Sequence, residues 1–488
     1  MKILFIYPDL NIDIRWGGHY YEGIASLSAI LKSKGHQVEL LHVYNLLKNK
    51  ELPRYLDSSL DLIAFSATTP MFPYVAECAK TIKKNFKKNI PLLCGGSHAT
   101  SAAVEVLKNP EIDYVCIGEG EYFILDFLDY LQGLRDKESI ANLGYKKEDG
   151  EVQINAIRDP IDPLDSLPFA DRGIFKTQHE NTDTAFLSAG RGCPFQCGYC
   201  SNNYLNKIYK NKYLRFRKPE TLIAEIKVLL DQYSNITQLV FLDDVFILNE
   251  DWLSRFCQLY TQAFNLPFKA LAHPAAISDA KIKLLKETGC NGIGFGIQSG
   301  NRFIRDNVML RHVSDEKIKE SISILKKHGL EFTVDVIFGV PFEQKKHMLD
   351  TVKMCAENDV SPKSHIFYPL PNTRLEEIAI ENKLFDRSSY AEDYHSKTIL
   401  NFSKIHKARV LFFHRYSKPL VFLYRKFSYT HTGALPKKIG QKILDYSVCS
   451  DFCIYSIISL RCVFIKLRSI FRKAAGISEF RLKEIKHF

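Results

Sequence analysis

Hydrophobic runs of strand length alternate with amphipathic segments of helix length along the first 130 residues. The runs KILFIYP, QVELLHV, DLIAFSAT, IPLLCGG and DYVCIGEG predict strands, and EGIASLSAILKSKG predicts a helix that ends at Gly35. Apolar strands alternating with helices indicate a parallel sheet covered on both faces. Ligands bind at the carboxyl ends of strands in such sheets. The turns at 66–69, 95–100 and 118–121 are therefore predicted to form a site.

A proline-rich stretch, RDPIDPLDSLPF, separates this region from a second series of strands and helices. Strands are predicted at TAFLSAG, QLVFLDD, FKALAHP, NGIGFGIQS, EFTVDVIFG and SHIFYPLP, and two of the helices between them end at Gly289 and Gly329. Six such units predict a partial (β/α)6 barrel with its functional groups at the carboxyl ends of the strands. The sequence thus predicts an α/β protein with four parts. They are a flavodoxin-like, Rossmann-type domain (1–140), a linker (141–180), the barrel (181–395) and a mainly helical C-terminal region (396–488).

The charge is concentrated in the last part of the chain. Residues 401–488 contain 18 Lys and Arg against 4 Asp and Glu, a net charge of +14, whereas the rest of the chain carries −3. The most apolar stretch here, FCIYSIISLRCVFIKLRSIFRK, is interrupted by Arg461 and Lys466. It favours a helix that contacts a membrane surface or a partner over a membrane span. The alternative is a helical cap on the barrel with a solvated basic face. Nucleic-acid binding is disfavoured, because no recognition module accompanies the charge.

The twelve cysteines are too sparse for a secreted disulfide scaffold, and the N-terminus lacks the features of a signal peptide. The expected location is therefore the cytoplasm, with peripheral contact at the inner face of the membrane if the tail binds there.

Three of the cysteines are closely spaced after the first barrel strand. RGCPFQCGYC places Cys193, Cys197 and Cys200 in a C-x3-C-x2-C pattern. Thiolates are the ligands of iron-sulfur clusters. Three of them can hold three irons of a four-iron cube and leave the fourth open to a small molecule. A structural zinc loop is the alternative, but zinc needs a fourth ligand, and His179 lacks a usual spacing.

This spacing, with Tyr199 before the last cysteine, resembles the radical S-adenosylmethionine (SAM) superfamily. The resemblance covers about residues 181 to 395. It implies a [4Fe-4S] cluster whose open iron binds SAM, and an electron donor such as flavodoxin or ferredoxin. One-electron reduction then yields a 5′-deoxyadenosyl radical. The segments FLDDVF, GFGIQSGN and VIFGVPFE occupy the places of the family's SAM-binding segments, although each is also compatible with a core strand and its turn. The implied SAM-binding residues are Tyr199, Asp243, Asp244, Gln298, Ser299 and Gly339.

One departure and two isolated residues accompany this resemblance. Gln298 stands where the family usually has Glu; an amide can still accept and donate hydrogen bonds. Arg217 resembles a basic residue of the subgroup that pairs with a carboxylate, and a solvated surface arginine is the alternative. His273 lies at the end of a predicted strand, where a structural histidine is the alternative to a catalytic one.

The N-terminal domain, with GGSHAT and IDYVCIGEGE, resembles the cobalamin-binding domain found upstream of many radical SAM barrels. The motif D-x-H-x-x-G is absent, so the resemblance implies base-off cobalamin without a histidine ligand. The alternative is a flavodoxin-like domain with ordinary glycine turns. The implied cobalamin-binding residues are Ser66, Thr68, Gly95, Gly96, Ser97, His98, Gly118, Glu119 and Gly120.

Together these resemblances imply a class B-like, cobalamin-dependent radical SAM methyltransferase. Its substrate would be a small or lipid-like molecule methylated at an unactivated carbon. A radical cyclase or rearrangement enzyme without methyl transfer is the alternative chemistry. A cobalamin-binding sensor with a degenerate barrel is a rival of another class. An RNA methylthiotransferase would need three more cluster cysteines, whereas Cys78, Cys94 and Cys116 are predicted to be core residues. The sequence identifies neither the substrate nor a further catalytic residue.

Overall fold

Two parallel sheets organise the chain. The computed structural model describes residues 1–9, 20–43, 52–86, 89–175, 182–390 and 397–426, together with 445 and 454. The apolar and basic stretch predicted at 452–473 lies, apart from residue 454, outside the described residues.

The N-terminal sheet has seven strands in the order β2-β1-β3-β4-β5-β6-β7. The first five are parallel, and β6 and β7 extend the sheet in antiparallel fashion. Strand β3 is buried throughout, as expected for a parallel strand covered on both faces. The strands are β1 (Lys2–Pro8), β2 (Gln37–Val43), β3 (Leu62–Ser66), β4 (Leu92–Gly95), β5 (Tyr114–Cys116), β6 (Leu143–Lys146) and β7 (Val152–Ile154).

A helix follows each of the five parallel strands of this sheet. They are α1 (Glu22–Ser33), α2 (Leu52–Tyr55), α3 (Phe72–Asn85), α4 (Gly96–Ser101), α5 (Ala103–Leu107) and α6 (Glu121–Leu131). All five parallel strands lie where the hydrophobic runs predicted them. The antiparallel extension was not predicted, because β6 and β7 are only four and three residues long and contain no extended apolar run.

The second sheet has six parallel strands in the order β15-β14-β13-β12-β11-β8, which confirms the predicted α/β barrel fold. A two-stranded ribbon, β9 with β10, lies beside it. The strands are β8 (Thr184–Leu187), β9 (Gly190–Arg191), β10 (Arg215–Phe216), β11 (Gln238–Phe241), β12 (Phe268–Ala272), β13 (Cys290–Gln298), β14 (Glu331–Phe338) and β15 (Pro362–Ile366).

The helices of this half lie between and after its strands along the chain. They are α7 (Ser201–Ile208), α8 (Pro219–Gln232), α9 (Glu250–Ala263), α10 (Asp279–Thr288), α11 (Asp315–Lys327), α12 (Lys345–Glu357), α13 (Arg374–Glu381) and α14 (Lys404–Tyr424). The predicted ends of α10 are confirmed. The Ser278 side chain accepts a hydrogen bond from the Lys281 amide, and Gly289 closes the helix at a left-handed φ of 107°.

Strand β13 separates the core from the concave side of the second sheet. Ile293, Phe295 and Ile297 are buried in the hydrophobic core, and glycines occupy the alternating positions between them. Because side chains alternate across a strand, the glycines at 292, 294 and 296 face the concave side. On this side the glycines are covered by Lys269 and Leu271 of β12, by Thr333 of β14 and by Gln298 at the end of β13.

The first part of the C-terminal region is the helix α14, which packs against the outer side of the barrel. The Ser364 hydroxyl of β15 donates to the His414 carbonyl, and Val410 lies against Gly339. Residues 404–424 therefore belong to the layer of helices around the barrel. Within the described residues, no helix is both long enough and apolar enough to cross a membrane.

Candidate cofactor site

The three cysteines of the C-x3-C-x2-C motif lie in the loop between β9 and α7, at the carboxyl end of β8. Two backbone hydrogen bonds hold this loop: the Gly198 amide donates to the Met309 carbonyl at 2.8 Å, and the Leu375 amide donates to the Gly198 carbonyl at 2.9 Å. The Asn206 side chain on α7 also donates to the Cys193 carbonyl at 2.8 Å. Parts of the chain more than a hundred residues away thus shape the cysteine loop.

The thiols of this loop can serve as metal ligands. Burial raises the pKa of Cys193 to about 11 and that of Cys200 to about 12, so both bind metal only once a cation displaces the proton. In a four-iron cube each thiolate binds a different iron, so three thiolates leave one iron open. The donor set of three thiolates therefore fits an iron-sulfur cluster.

Arg311 is a component of the site that the sequence analysis missed. Its guanidinium lies 3.3 Å from the Cys197 sulfur and 3.3 Å from the Tyr199 hydroxyl, and it donates to the Gly296 carbonyl at 2.5 Å. The side chain is buried, so a permanent positive charge is fixed beside the thiols. Arg311 follows GIQSGN by ten residues and belongs to none of the motifs. Only the fold brings it to the cysteine loop.

The two adjacent aspartates of FLDDVF have different surroundings. The Asp243 carboxylate accepts hydrogen bonds from the Ala189 amide at 2.9 Å and the Gly190 amide at 2.6 Å, and burial raises its pKa to about 7. It therefore holds the turn after β8. Asp244 is exposed, accepts from the Asn202 side chain at 2.8 Å, and lies near enough to Cys193 to raise its pKa. Of the two predicted SAM-binding aspartates, Asp244 is the one open to the cysteine loop.

The Gln298 side chain lies over Gly296 and retains a free acceptor. Gln298 has a positive φ of 64°, and the chain turns at this residue, which ends β13. A Cβ at Gly296 would lie 1.9 Å from the Gln298 Nε2 atom, so only glycine permits this placement. In the described part of the chain, the buried Oε1 atom has no hydrogen-bond partner. A buried amide oxygen left unpaired is costly, which fits a polar ligand at this position.

Ser299 and Gly339, also predicted to bind SAM, stabilise the turns in which they lie. The buried Ser299 hydroxyl accepts from the Asn301 amide at 3.2 Å. Gly339 has a φ of 86°, its amide donates to the Glu343 carboxyl at 2.6 Å, and a Cβ there would lie 2.9 Å from Val410. Both residues therefore shape the rim of the barrel, and neither presents a free polar side-chain atom.

The isolated candidates Arg217 and His273 are structural in this arrangement. Arg217 is buried and pairs with the Glu225 carboxylate of α8, so it is not a solvated surface residue. His273 stacks on Phe195 with ring centroids 3.5 Å apart, and its Nδ1 accepts from the Ala275 amide at 3.2 Å. Burial lowers the pKa of His273 to about 2. Its ring therefore stays neutral and already has a partner for its lone pair.

At the carboxyl edge of the N-terminal sheet, the predicted residues lie in three neighbouring turns. Ser66 is buried, Thr68 is half-buried and Ser97 is exposed. Gly96 has a φ of 91°, and a Cβ there would lie 2.7 Å from the Ala67 backbone. His98 is buried against Phe72 and is hydrogen-bonded to Thr69 at 3.2 Å. His98 therefore belongs to the interior of the N-terminal domain.

The third turn, residues 118–120, is held by hydrogen bonds and ion pairs to residues of the barrel. A Cβ at Gly118 would lie 2.1 Å from the Tyr209 hydroxyl, which also accepts a hydrogen bond from the Glu119 amide at 2.7 Å. The Glu119 carboxylate pairs with Arg191 at 2.9 Å and with Arg215 at 2.8 Å. Its oxygens are thus occupied by the barrel, although the sequence suggested that they bind cobalamin amides. Gly95 and Gly120 border the same edge without a positive φ.

Comparisons with known proteins identify both halves. The model of the B12 binding domain matches residues 18–128, and the model of the radical SAM superfamily matches residues 187–355. An uncharacterized methyltransferase of Pyrococcus horikoshii is 28% identical over 330 residues, which are 66% of this chain and 70% of the relative. An anaerobic magnesium-protoporphyrin IX monomethyl ester cyclase of Rubrivivax gelatinosus is 25% identical over 80% of this chain and 72% of its own length.

A solved structure shares the fold. The radical SAM methyltransferase TsrM from Kitasatospora setae, with cobalamin and a [4Fe-4S] cluster bound, superposes with a TM-score of 0.65 at 17% identity, covering 78% of each chain. The fold and the matches define a cofactor enzyme with a B12-binding domain followed by a radical SAM domain. These two domains imply a [4Fe-4S] cluster, SAM and cobalamin as the cofactors of the chain.

The cobalamin edge can be tested at Ser97, since its exposed side chain opens α4 at the end of β4. Ser97→Trp should remove bound cobalamin while leaving the iron content unchanged, because the indole would fill the space beside the sheet edge. The measurement is the visible spectrum after reconstitution with hydroxocobalamin. Ser33→Trp, at an exposed position at the end of α1, is the matched control and should keep the cofactor. Full cobalamin retention by Ser97→Trp would refute this placement.

Proposed function

We propose that the protein is a cobalamin-dependent radical SAM methyltransferase that methylates a carbon of a small molecule. One observation carries the proposal: α7 and the residue after it connect the two cofactor regions. Asn206 on α7 bonds the Cys193 carbonyl at 2.8 Å, and Tyr209 bonds the Glu119 amide at 2.7 Å in the turn at the cobalamin edge. Cofactors bound at these two places would therefore lie beside the same helix.

The proposed roles follow from the charges of the site. Cys193, Cys197 and Cys200 hold the cluster, which supplies the electron that cleaves SAM, while cobalamin carries the methyl group. Asp244 faces the SAM amine, and the Arg311 guanidinium faces its carboxylate, because each complements the charge of its partner. Gln298, with its free amide oxygen, binds the SAM ribose. The electron donor is proposed to be a flavodoxin or a ferredoxin.

The cyclase relative supports a second candidate function, radical ring closure without methyl transfer, because the similarity extends over 80% of this chain. The two functions differ in their products. A methyltransferase consumes one SAM for the radical and another for the methyl group, so it forms S-adenosylhomocysteine as well as 5′-deoxyadenosine. A cyclase forms 5′-deoxyadenosine alone.

Counting these two products separates the candidates. Reconstituted enzyme with reductant, SAM and a small-molecule extract of cells that express it should form both compounds in about equal amounts. Only 5′-deoxyadenosine, together with a dehydrogenated product, would favour the cyclase. Peripheral membrane contact of the basic tail stays a separate proposal.

The role of Arg311 predicts a specific kinetic change. Arg311→Met should raise the KM for SAM by about 10-fold or more, because a charge-assisted hydrogen bond contributes roughly 1.5–3 kcal/mol. The iron content should persist, since the cysteines are unchanged. Arg302→Met, at an exposed arginine on the same segment, is the matched control. An unaltered KM for SAM in Arg311→Met would contradict the assigned role.

A further inference from the structure

An Asp–His pair in the second sheet takes no part in the site described above. The Asp335 carboxylate lies 2.9 Å from the His365 Nε2 atom. The side chains are 30% and 39% exposed, so the pair is open to solvent although both residues lie inside strands. Charged side chains within strands of a parallel sheet are unusual and require a reason.

Both side chains lie on the concave side of the barrel. On β14, Val334, Val336 and Phe338 belong to the hydrophobic core, so Asp335, between them, faces the opposite side. On β15, the Ser364 hydroxyl bonds the His414 carbonyl of α14 on the outside, so the adjacent His365 faces inward. The pair therefore borders the hollow of the barrel near its edge strand.

The pair is close to the cofactor site. In the strand register, Asp335 stands opposite Gly296 of β13. The Gly296 carbonyl accepts from Arg311, which contacts Cys197. Adjacent strands are about 4.8 Å apart, and the side chain that lies over Gly296 is that of Gln298, the proposed contact of the SAM ribose. A substrate that reaches the radical formed at the cysteine loop would thus lie within reach of Asp335 and His365.

The hydrogen bonding within the pair defines what it can bind. Because an ionised carboxylate can only accept, the His365 Nε2–H donates to Asp335, and Nδ1 of the neutral ring is then an acceptor. Among the described residues, His365 Nδ1 and the second Asp335 oxygen have no other partner. Of the other charged side chains described on this face, Lys269 and Glu331 pair with each other, and the exposed Lys363, opposite Asp335 in the strand register, forms no ion pair with it. Two acceptors thus point toward the same hollow.

We propose that Asp335 and His365 form a substrate subsite that binds an O–H or N–H donor of a polar small molecule. The proposal rests on the proposed radical SAM function and specifies its substrate class. It favours a water-soluble substrate over the lipid-like one considered from the sequence, because a carboxylate beside an alkyl chain would lose its hydration without gaining a partner.

The first test uses SAM with a deuterated methyl group. Wild-type enzyme should label a compound in the water-soluble extract, and His365→Ala and Asp335→Ala should lower the kcat/KM for that compound by about 10-fold or more. Cleavage of SAM without substrate should stay within about 2-fold of wild type, since the SAM residues are intact. The control is Glu331→Gln, which breaks the Lys269–Glu331 pair at the other end of the strands. Wild-type labelling by both variants, or a labelled product without O–H or N–H, would overturn the proposal.

A second test does not depend on methyl transfer. Saturation-transfer NMR on the reconstituted enzyme compares a panel of small alcohols and amines with their fully methylated counterparts. Compounds with a donor should bind the wild type and lose binding in His365→Ala. If no compound distinguishes the two proteins, the subsite is refuted even if the enzyme methylates another molecule. If the donors bind in this way but SAM yields no S-adenosylhomocysteine, only the methyl-transfer proposal fails.

Discussion

The Cys197→Ala variant will form no 5′-deoxyadenosine from SAM under anaerobic, reducing conditions and will lack the broad visible absorbance of the cluster. The reason is that the Cys197 thiolate would hold one iron of the cube and also lies 3.3 Å from the fixed positive charge of Arg311. Removing it leaves two protein thiolates, too few for a stable cluster with one open iron. The measurements are iron content, the visible spectrum and chromatographic detection of 5′-deoxyadenosine.

The matched control is Cys355→Ala, because Cys355 is a fully buried cysteine of the barrel core. This variant should lose some stability from the smaller side chain but keep the cluster and its activity. A Cys193, Cys197 and Cys200 triple-alanine variant that still cleaves SAM would refute the cluster assignment. Loss of activity by Cys355→Ala at full stability would show that the assay responds to any cysteine.

Among the variants named for this protein, Glu119→Ala should lower the free energy of unfolding the most. The carboxylate is 7% exposed and is shared by Arg191 and Arg215, and the Ile161 amide also donates to it at 2.6 Å. Its removal leaves the buried Arg215 without a carboxylate, and breaking such a pair costs about 3–5 kcal/mol. The measurements are the thermal midpoint and cobalamin retention, because the turn at 118–120 would no longer be held against the barrel.

The same network predicts that acidification lowers the stability of the protein. Burial raises the pKa of Glu119, but Arg215 and Arg191 outweigh burial, so its pKa is lowered relative to the usual glutamate value. The stabilisation is therefore present above the normal glutamate pKa and is lost as the pH falls through the lowered value. Glu119→Ala should lack this part of the acid sensitivity.

The exposed Lys212–Asp159 pair provides the control for Glu119→Ala. Asp159→Ala should change the free energy of unfolding by no more than about 1 kcal/mol, because exposed ion pairs contribute little. If Glu119→Ala melts at the wild-type temperature and retains cobalamin, the ion pairs do not join the two domains.

Local patterns predicted the parallel strands and the cysteine loop. The apolar runs of β1 to β5 and the six barrel strands are contiguous in the sequence, so periodicity alone revealed them. Strands β6 and β7 escaped prediction because they are short, and they form by successive pairing, β6 with β5 and β7 with β6. Pairing of this kind depends on a neighbour and not on the strand's own composition.

The sequence could not predict which side chain of a motif faces the ligand. Asp243 and Asp244 are adjacent, yet one holds the turn after β8 and the other is exposed beside the cysteines. Glu119 appeared free in a glycine-rich turn, but Arg191 and Arg215 bind it from parts of the chain more than 70 residues away. Such partners become known only when the two domains are seen together.

We propose that the two cofactor domains act on SAM at one shared site. Methyl transfer from SAM to bound cobalamin is the most direct test of this proposal. Enzyme reconstituted with its cluster and with cob(I)alamin is mixed with SAM without oxygen, and the visible spectrum of the cobalamin is followed. We expect the cob(I)alamin absorbance to disappear and S-adenosylhomocysteine to form in equal amount, in the wild type and not in the Ser97→Trp variant. Persistence of cob(I)alamin in the wild-type enzyme, with no S-adenosylhomocysteine formed, would contradict the claim.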